Sequence, residues 1–237
     1  MTLTAESVRE ALAWLERHGT KKNRDGLVGY GIHAPSAFGV PVGAVQRLAS
    51  QFGTNHDLAV ALWKTGRYEA RLLASFVDDP TRVTATQMDR WARDFDNWGI
   101  CDTVCFKLFD QSPHAWRKVE QWSARREEFV KRAAFTLLAS LALHDKSAAD
   151  QPFMRSLALI TRAAPDERNF VKKGVSWALR AVGRRNQQLN AAAVDVAVVL
   201  SHAPEPAARW IGKGALKELT SPLVRRQLTA RRRAART

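Results

Sequence analysis

Cysteine is scarce in this 237-residue chain: there are two, Cys101 and Cys105. Two thiols build neither a disulfide framework nor, unaided, a four-ligand zinc site. Four residues apart, they share one face of a helix and read as small buried hydrophobes in a reducing compartment. Long apolar runs are also missing. The longest near the C-terminus, AAAVDVAVVL, is interrupted by Asp195 and is too short to span a bilayer. The N-terminus lacks a basic segment followed by an apolar one. It reads as a helix capped by Thr4, with Val8, Leu12 and Leu15 on one side, rather than as a signal peptide. Strand-type alternation, a Gly-rich phosphate loop and a nucleophile elbow are all absent. His18, His33, His56, His114, His144 and His202 are scattered without ligand spacing, so neither a metal nor another cofactor is expected. Together these absences describe a soluble, cytoplasmic chain without a membrane partner.

What the chain has in excess is positive charge. Apolar residues at 46% are ordinary, but 37 Lys+Arg against 23 Asp+Glu give a formal net charge of +14 and a pI near 10.6. Such a surplus favours a polyanionic partner. Part of it lies in the segment 221–237, where Arg225, Arg226, Arg231, Arg232, Arg233 and Arg236 face no acid after residue 225. That Arg-rich end is either a nucleic-acid contact or a frayed, solvated terminus. The body without those six arginines still carries more bases than acids.

Helical periodicity dominates the rest. Helices are expected near 4–18, 42–52, 56–64, 67–77, 84–92, 96–110, 114–122, 126–143, 148–164, 166–184, 188–202, 204–218 and 221–233. Gly19, Gly66, Pro80, Pro113, Pro152, Pro165, Pro204 and Pro222 fall between them as breakers. The stretch 19–40, GTKKNRDGLVGYGIHAPSAFGV, is Gly-rich and irregular, and its length points to function. A repeat is visible further on. Phe129-Val130-Lys131-Arg132 matches Phe170-Val171-Lys172-Lys173 and then Trp210-Ile211-Gly212-Lys213, at offsets of 41 and 40 residues. That period belongs to two-helix HEAT or armadillo units, whose apolar sides need neighbours to cover them. The expectation is therefore an all-α, HEAT-like helical repeat solenoid, forming a single domain over 1–237, curved, with a basic concave face. In that register Arg132, Lys173 and Lys213 are equivalent, so they form either a phosphate-binding stripe or a solvated face.

Candidate chemistry centres on DNWGICDTVC. Trp98 and Asp102 lie at i, i+4, so an indole and a carboxylate share one helix face. Taken alone, the pair also fits a core Trp and a solvated Asp. Trp177 follows Lys173 by one turn and either joins the basic groove or packs between repeats. Asp78-Asp79 and Glu127-Glu128 read as caps or solvated residues.

Four local patterns in one order resemble the AlkD-type DNA alkylation-repair glycosylases, a HEAT-like repeat family, over nearly the whole chain. They are Tyr30 ahead of Gly39-Val40 and VQRLA, the Trp-x-x-x-Asp of DNWGICDTVC, FVKRAAFTLL, and FVKKGVSWALR. The resemblance implies that Asp102 is catalytic, that Trp98 and Trp177 flank the sugar, and that Arg132 grips a phosphate, with Tyr30 also near DNA; the repeat register adds Lys173 and Lys213 as DNA contacts. Gly99-Ile100-Cys101 departs from the aromatic or acidic residues of some members. Pro41-Val42-Gly43 lacks a polar residue expected near DNA.

The implied activity is that of a DNA-alkylpurine N-glycosylase in base excision repair, acting on double-stranded DNA that carries 3-methyladenine or 7-methylguanine. It hydrolyses the N-glycosidic bond while the base stays stacked. A basic solenoid of this length can work as a monomer associated with the nucleoid. Two other readings share the fold: a non-catalytic binder of bent or branched DNA, and a protein–protein scaffold. A binder has no use for a carboxylate facing a polyanion, and a scaffold has none for the basic register.

Overall fold

The computed structural model describes residues 3–234, and all regular structure among them is helical. They gather into two compact units, Met1–His114 and Ala115–Thr237, here unit 1 and unit 2. Both lie within the span that the repeat pattern reads as one domain.

Unit 1 contains α1 (Leu3–His18), α2 (Lys21–Gly26), α3 (Val42–Phe52), α4 (His56–Lys64), α5 (Tyr68–Val77), α6 (Ala85–Arg93) and α7 (Trp98–Lys107). Several of these helices start where a side chain takes over an orphan amide. Asn55 accepts from Leu58 N at 3.0 Å, Thr84 from Gln87 N at 3.1 Å, and Asn97 from Ile100 N at 3.0 Å. The Asn97 cap starts α7 at Trp98, two residues later than expected, and α7 stops at Lys107 before a short 3-10 turn, Phe109–Gln111. Thr4 is not a cap, because α1 already begins at Leu3. Helix α5 is the centre of the unit. Eight of its ten residues are buried, and α3, α4 and α7 pack on it. Trp63 and Trp91 stack at 4.0 Å between ring centroids, and Trp63 Nε1 donates to Asp94 Oδ2 at 2.8 Å.

Unit 2 contains α8 (Ala115–Ser123), α9 (Glu128–His144), α10 (Asp150–Ala163), α11 (Asn169–Gly183), α12 (Gln187–Ser201), α13 (Pro206–Leu219) and α14 (Pro222–Ala234). Here the repeat becomes physical. The helices pair as α8/α9, α10/α11 and α12/α13, and like packs on like: α9 on α11 and α11 on α13, α8 on α10 and α10 on α12. The register seen in the sequence is a register of contacts, since the Phe129 and Phe170 rings lie 5.2 Å apart. In the other layer Trp116 meets Phe153 edge to face at 4.8 Å. Gly212 occupies the position of Lys131 and Lys172 because α12 runs against it: a Cβ there would lie 2.3 Å from Ser201 N. Pro152 does not separate helices. It sits in the first turn of α10, where a missing N–H costs nothing. Helix α14 covers most of 221–237, and Arg236 lies outside the described residues.

Candidate nucleic-acid interface

The stretch 19–40 is less irregular than its composition suggests. It forms α2, then a 3-10 turn Leu27–Tyr30 closed by Gly31 at φ 70°, and then a strap laid across α5. Glu69, fully buried in α5, holds the strap. Its carboxylate accepts from three consecutive amides, Phe38 at 2.8 Å, Gly39 at 2.7 Å and Val40 at 3.0 Å. A buried carboxylate is tolerable when several N–H groups replace its water, and here they do. Gly39 is required at φ 89°, where its amide reaches Glu69 and a Cβ would collide with Thr20 O at 2.2 Å. Ser36 Oγ donates to Gly66 O at 3.0 Å, and the Arg67 guanidinium lies over the Phe38 ring.

Tyr30 lies on the same stretch, eight residues before the clamped amides. The Tyr30 side chain is 73% exposed, while its carbonyl accepts from Trp98 Nε1 at 2.9 Å. The half-buried indole at the first residue of α7 is thereby locked in direction. Asp102 stands one turn along, half-buried, on the same helix face. Unit 1 thus brings Tyr30, Trp98 and Asp102 together. Beneath them Cys101 and Cys105 are fully buried, as their small apolar character implies. Burial pushes the Cys105 thiol up, with Cys101 and then the carboxylates of Asp102 and Asp110 adding to the effect, so it stays neutral.

The departure at Gly99 has a packing cause. A Cβ there would lie 2.6 Å from the Tyr68 hydroxyl, 3.1 Å from Ile32 Cδ1 and 3.2 Å from Asn97 Oδ1. Tyr68 fills the space that a side chain would take. Its own hydroxyl is pushed up to about 12 by burial and by the nearby Glu69 and Asp96 carboxylates, which keeps it protonated.

Unit 2 places its expected residues differently from one another. Lys173 and Lys213 are exposed and Trp177 is half-buried. Arg132 is not on an exposed stripe. It is 6% exposed, and its Nη1 donates to Phe170 O at 2.8 Å. It staples α9 to α11, the helix that carries Lys173 and Trp177. The basic register is therefore broken at its first member, because α11 packs over Arg132. Next to it, Lys131 and Arg168 both bond Asp166, which pulls that carboxyl well below the usual range.

The acidic pairs divide. Asp79 caps a turn by accepting from Thr81 N and Oγ1, and Glu127 stands at the N-cap position of α9. Asp78, expected as a cap or solvated residue, is buried instead. Its carboxylate lies 2.6 Å from His56 Nδ1 and accepts from Gln87 Nε2 at 2.7 Å. Burial raises its pKa, against the pull of those partners. The role of Glu69 is not evident from the sequence. The one signal for it was a lone acid in the apolar run YEARLLASFV. No group of three or more potential metal ligands occurs among the described residues, and no described helix is long and apolar enough to cross a membrane.

Comparison with known proteins gives the family and the fold. A family model described as DNA alkylation repair enzyme matches residues 11–219. One solved structure aligns over 93% of this chain and 95% of its own, at 21% identity and a TM-score of 0.75. It is described as a new family of proteins related to the HEAT-like repeat DNA glycosylases with affinity for branched DNA structures. At that identity the likeness establishes a fold, the HEAT-like repeat. A designed armadillo repeat protein in complex with a (KR)4 peptide aligns over 79% of this chain and 90% of its own, at 11% identity and a TM-score of 0.37, which carries no weight. Among curated proteins none matches the sequence.

Proposed function

Because the chain belongs to the DNA alkylation repair enzyme family, we propose that it is a DNA glycosylase that releases cationic N-alkylated purines, with the Asp102 carboxylate as its catalytic group. The observation that carries this reading is the locked indole of Trp98, held by the Tyr30 carbonyl one helical turn from a half-buried Asp102.

Alkylation at N3 of adenine or N7 of guanine makes the base cationic. When the C1′–N bond breaks, the base leaves with the bonding pair as a neutral molecule and needs no general acid. Positive charge gathers on the sugar. Asp102 then stabilises a charge larger in the transition state than in the ground state, which lowers the barrier. Water, oriented by Asp102, adds to C1′ and releases its proton to the solvent. Trp98 offers a ring face to the cationic sugar. In unit 2, the exposed Lys173 and Lys213 hold phosphates. Arg132 acts there as a positioning residue, fixing the helix that bears Lys173 and Trp177.

The test is incubation with methylated duplex DNA and measurement of free base. Asp102→Asn should lose about 10²- to 10³-fold in release while keeping its DNA affinity. A wild-type protein that binds duplex tightly but releases no base would overturn the enzyme reading.

A second reading is a non-catalytic binder of branched DNA, favoured by the affinity described for the aligned structure. It expects a four-way junction to outcompete a duplex of equal length, with no effect of Asp102→Asn.

A further inference from the structure

The third ring of the repeat ladder differs from the first two. Phe129 and Phe170 rest on each other. Trp210, next in register, is 49% exposed and stands at the edge of a groove of about 400 Å³ between α11 and α13. Ser176, Arg180, Lys213, Gly214 and Lys217 form the rest of its lining. The Lys172 ammonium lies over the Trp210 ring, 5.1 Å from its centroid, so the indole already holds a cation on one side. Trp210, Lys213 and Lys217 sit at i, i+3 and i+7, so an aromatic plate and two cations follow one another along one helix face. The Lys213 and Lys217 side chains leave the helix about 6 Å apart along its axis. Arg180 is already committed, at 2.8 Å from Glu218, so the uncompensated charge of the groove is that of the lysines. Gly214 keeps the floor open: a Cβ there would meet nothing within 4 Å.

We infer that this groove is a binding site for an unpaired nucleotide of a DNA strand, whose base stacks on Trp210 and whose flanking phosphates pair with Lys172, Lys213 and Lys217. A flat π-face beside several cations is the chemistry that holds single strands without reading their sequence. A base paired within duplex DNA has both faces covered by its neighbours, so the ligand is an unpaired nucleotide. The inference rests on DNA being the partner, as in the reading above, but not on any lesion or on Asp102.

The test uses the full chain and fluorescence anisotropy with two labelled strands: ten-nucleotide oligo-dT and an abasic strand with the same number of phosphates. Trp210→Ala should weaken oligo-dT binding about tenfold, and Trp210→Phe should restore most of it. Neither should change binding of the abasic strand. Gly214→Leu fills the groove where no protein atom stands. It should weaken oligo-dT binding without lowering the melting temperature, since Leu is the better helix former. If Trp210→Ala binds oligo-dT like the wild type, or loses both strands equally, the stacking site is refuted. Both strands are unmethylated, so this inference and the glycosylase reading fail in different experiments.

Discussion

Unit 1 and unit 2 reach stability by different means. Unit 2 repeats itself: ring against ring at Phe129 and Phe170, edge to face at Trp116 and Phe153, and arginines that bond carbonyls about forty residues away, Arg132 to Phe170 and Arg185 to Asp145. Each contact is one of several of its kind, so the load is spread. Unit 1 concentrates its order. One buried carboxylate, Glu69, holds three amides of a long strap, and the stretch leading into that strap carries the Tyr30 carbonyl that accepts from Trp98. The difference teaches where each unit is vulnerable: a repeat tolerates the loss of a member, and a single clamp does not.

The sharpest way to break that contrast is to remove one polar group from each unit. Glu69→Ala leaves three amides without their acceptor and should cost about 3 kcal/mol or more. The unit 2 counterpart, Arg132→Met, leaves the Phe170 carbonyl short of one donor and should cost about 1–3 kcal/mol. Urea denaturation of both variants measures the two costs. Equal losses would show that the clamp is no more critical than a repeat staple. In the glycosylase reading, Glu69→Ala should also slow base release, because the stretch that carries the Tyr30 carbonyl leads into the strap that loses its clamp.

A smaller effect sharpens the account of α7. Gly99→Ala drives a methyl group into the Tyr68 hydroxyl and should destabilise by about 1–3 kcal/mol. Adding Tyr68→Phe removes the oxygen that it meets and should recover a good part of that loss. A double-mutant cycle in thermal melts reads the coupling, and strict additivity would sink the packing explanation.

The smallest effect distinguishes the units by pH. Asp166 in unit 2 is held below its unfolded value of 3.8, first by its hydrogen bond with Arg168. Its contribution is fully present above that value and is lost as pH falls toward the folded pKa. Asp78 in unit 1 is raised above 3.8 by burial, so its sign is opposite: the folded state takes up a proton first, and stability falls as pH rises from 3.8 to the folded pKa. Asp166→Asn should therefore flatten the acid limb of the stability curve below about pH 4, and Asp78→Asn should not. Acid titration followed by circular dichroism compares them. An unchanged limb in Asp166→Asn would count against the ion-pair account.

Much of the fold was legible because its causes are local. Apolar spacing, Pro and Gly breakers and capping residues act within a few positions, and the expected helices agree with those observed to within a few residues at most ends. The repeat was legible too, since offsets of 41 and 40 residues return an aromatic residue to the same register position, and the Phe129–Phe170 contact is the physical form of the first of those matches. Within the candidate site, helical spacing put Trp98 and Asp102 on one face, and only the family resemblance singled that face out.

The rest was decided by contacts between residues far apart in the chain. Nothing near Arg132 says that α11 will cover it, because the same basic register leaves Lys173 and Lys213 in water. Nothing near Glu69 says that amides some thirty residues earlier will close on it. Nor does DNWGICDTVC reveal that Gly99 is small for the sake of the Tyr68 hydroxyl. Sequence determined which segments are helices and which faces are apolar, because those depend on spacing within a turn or two. Tertiary structure alone decided which polar groups are buried, because burial depends on which distant backbone arrives to replace the water.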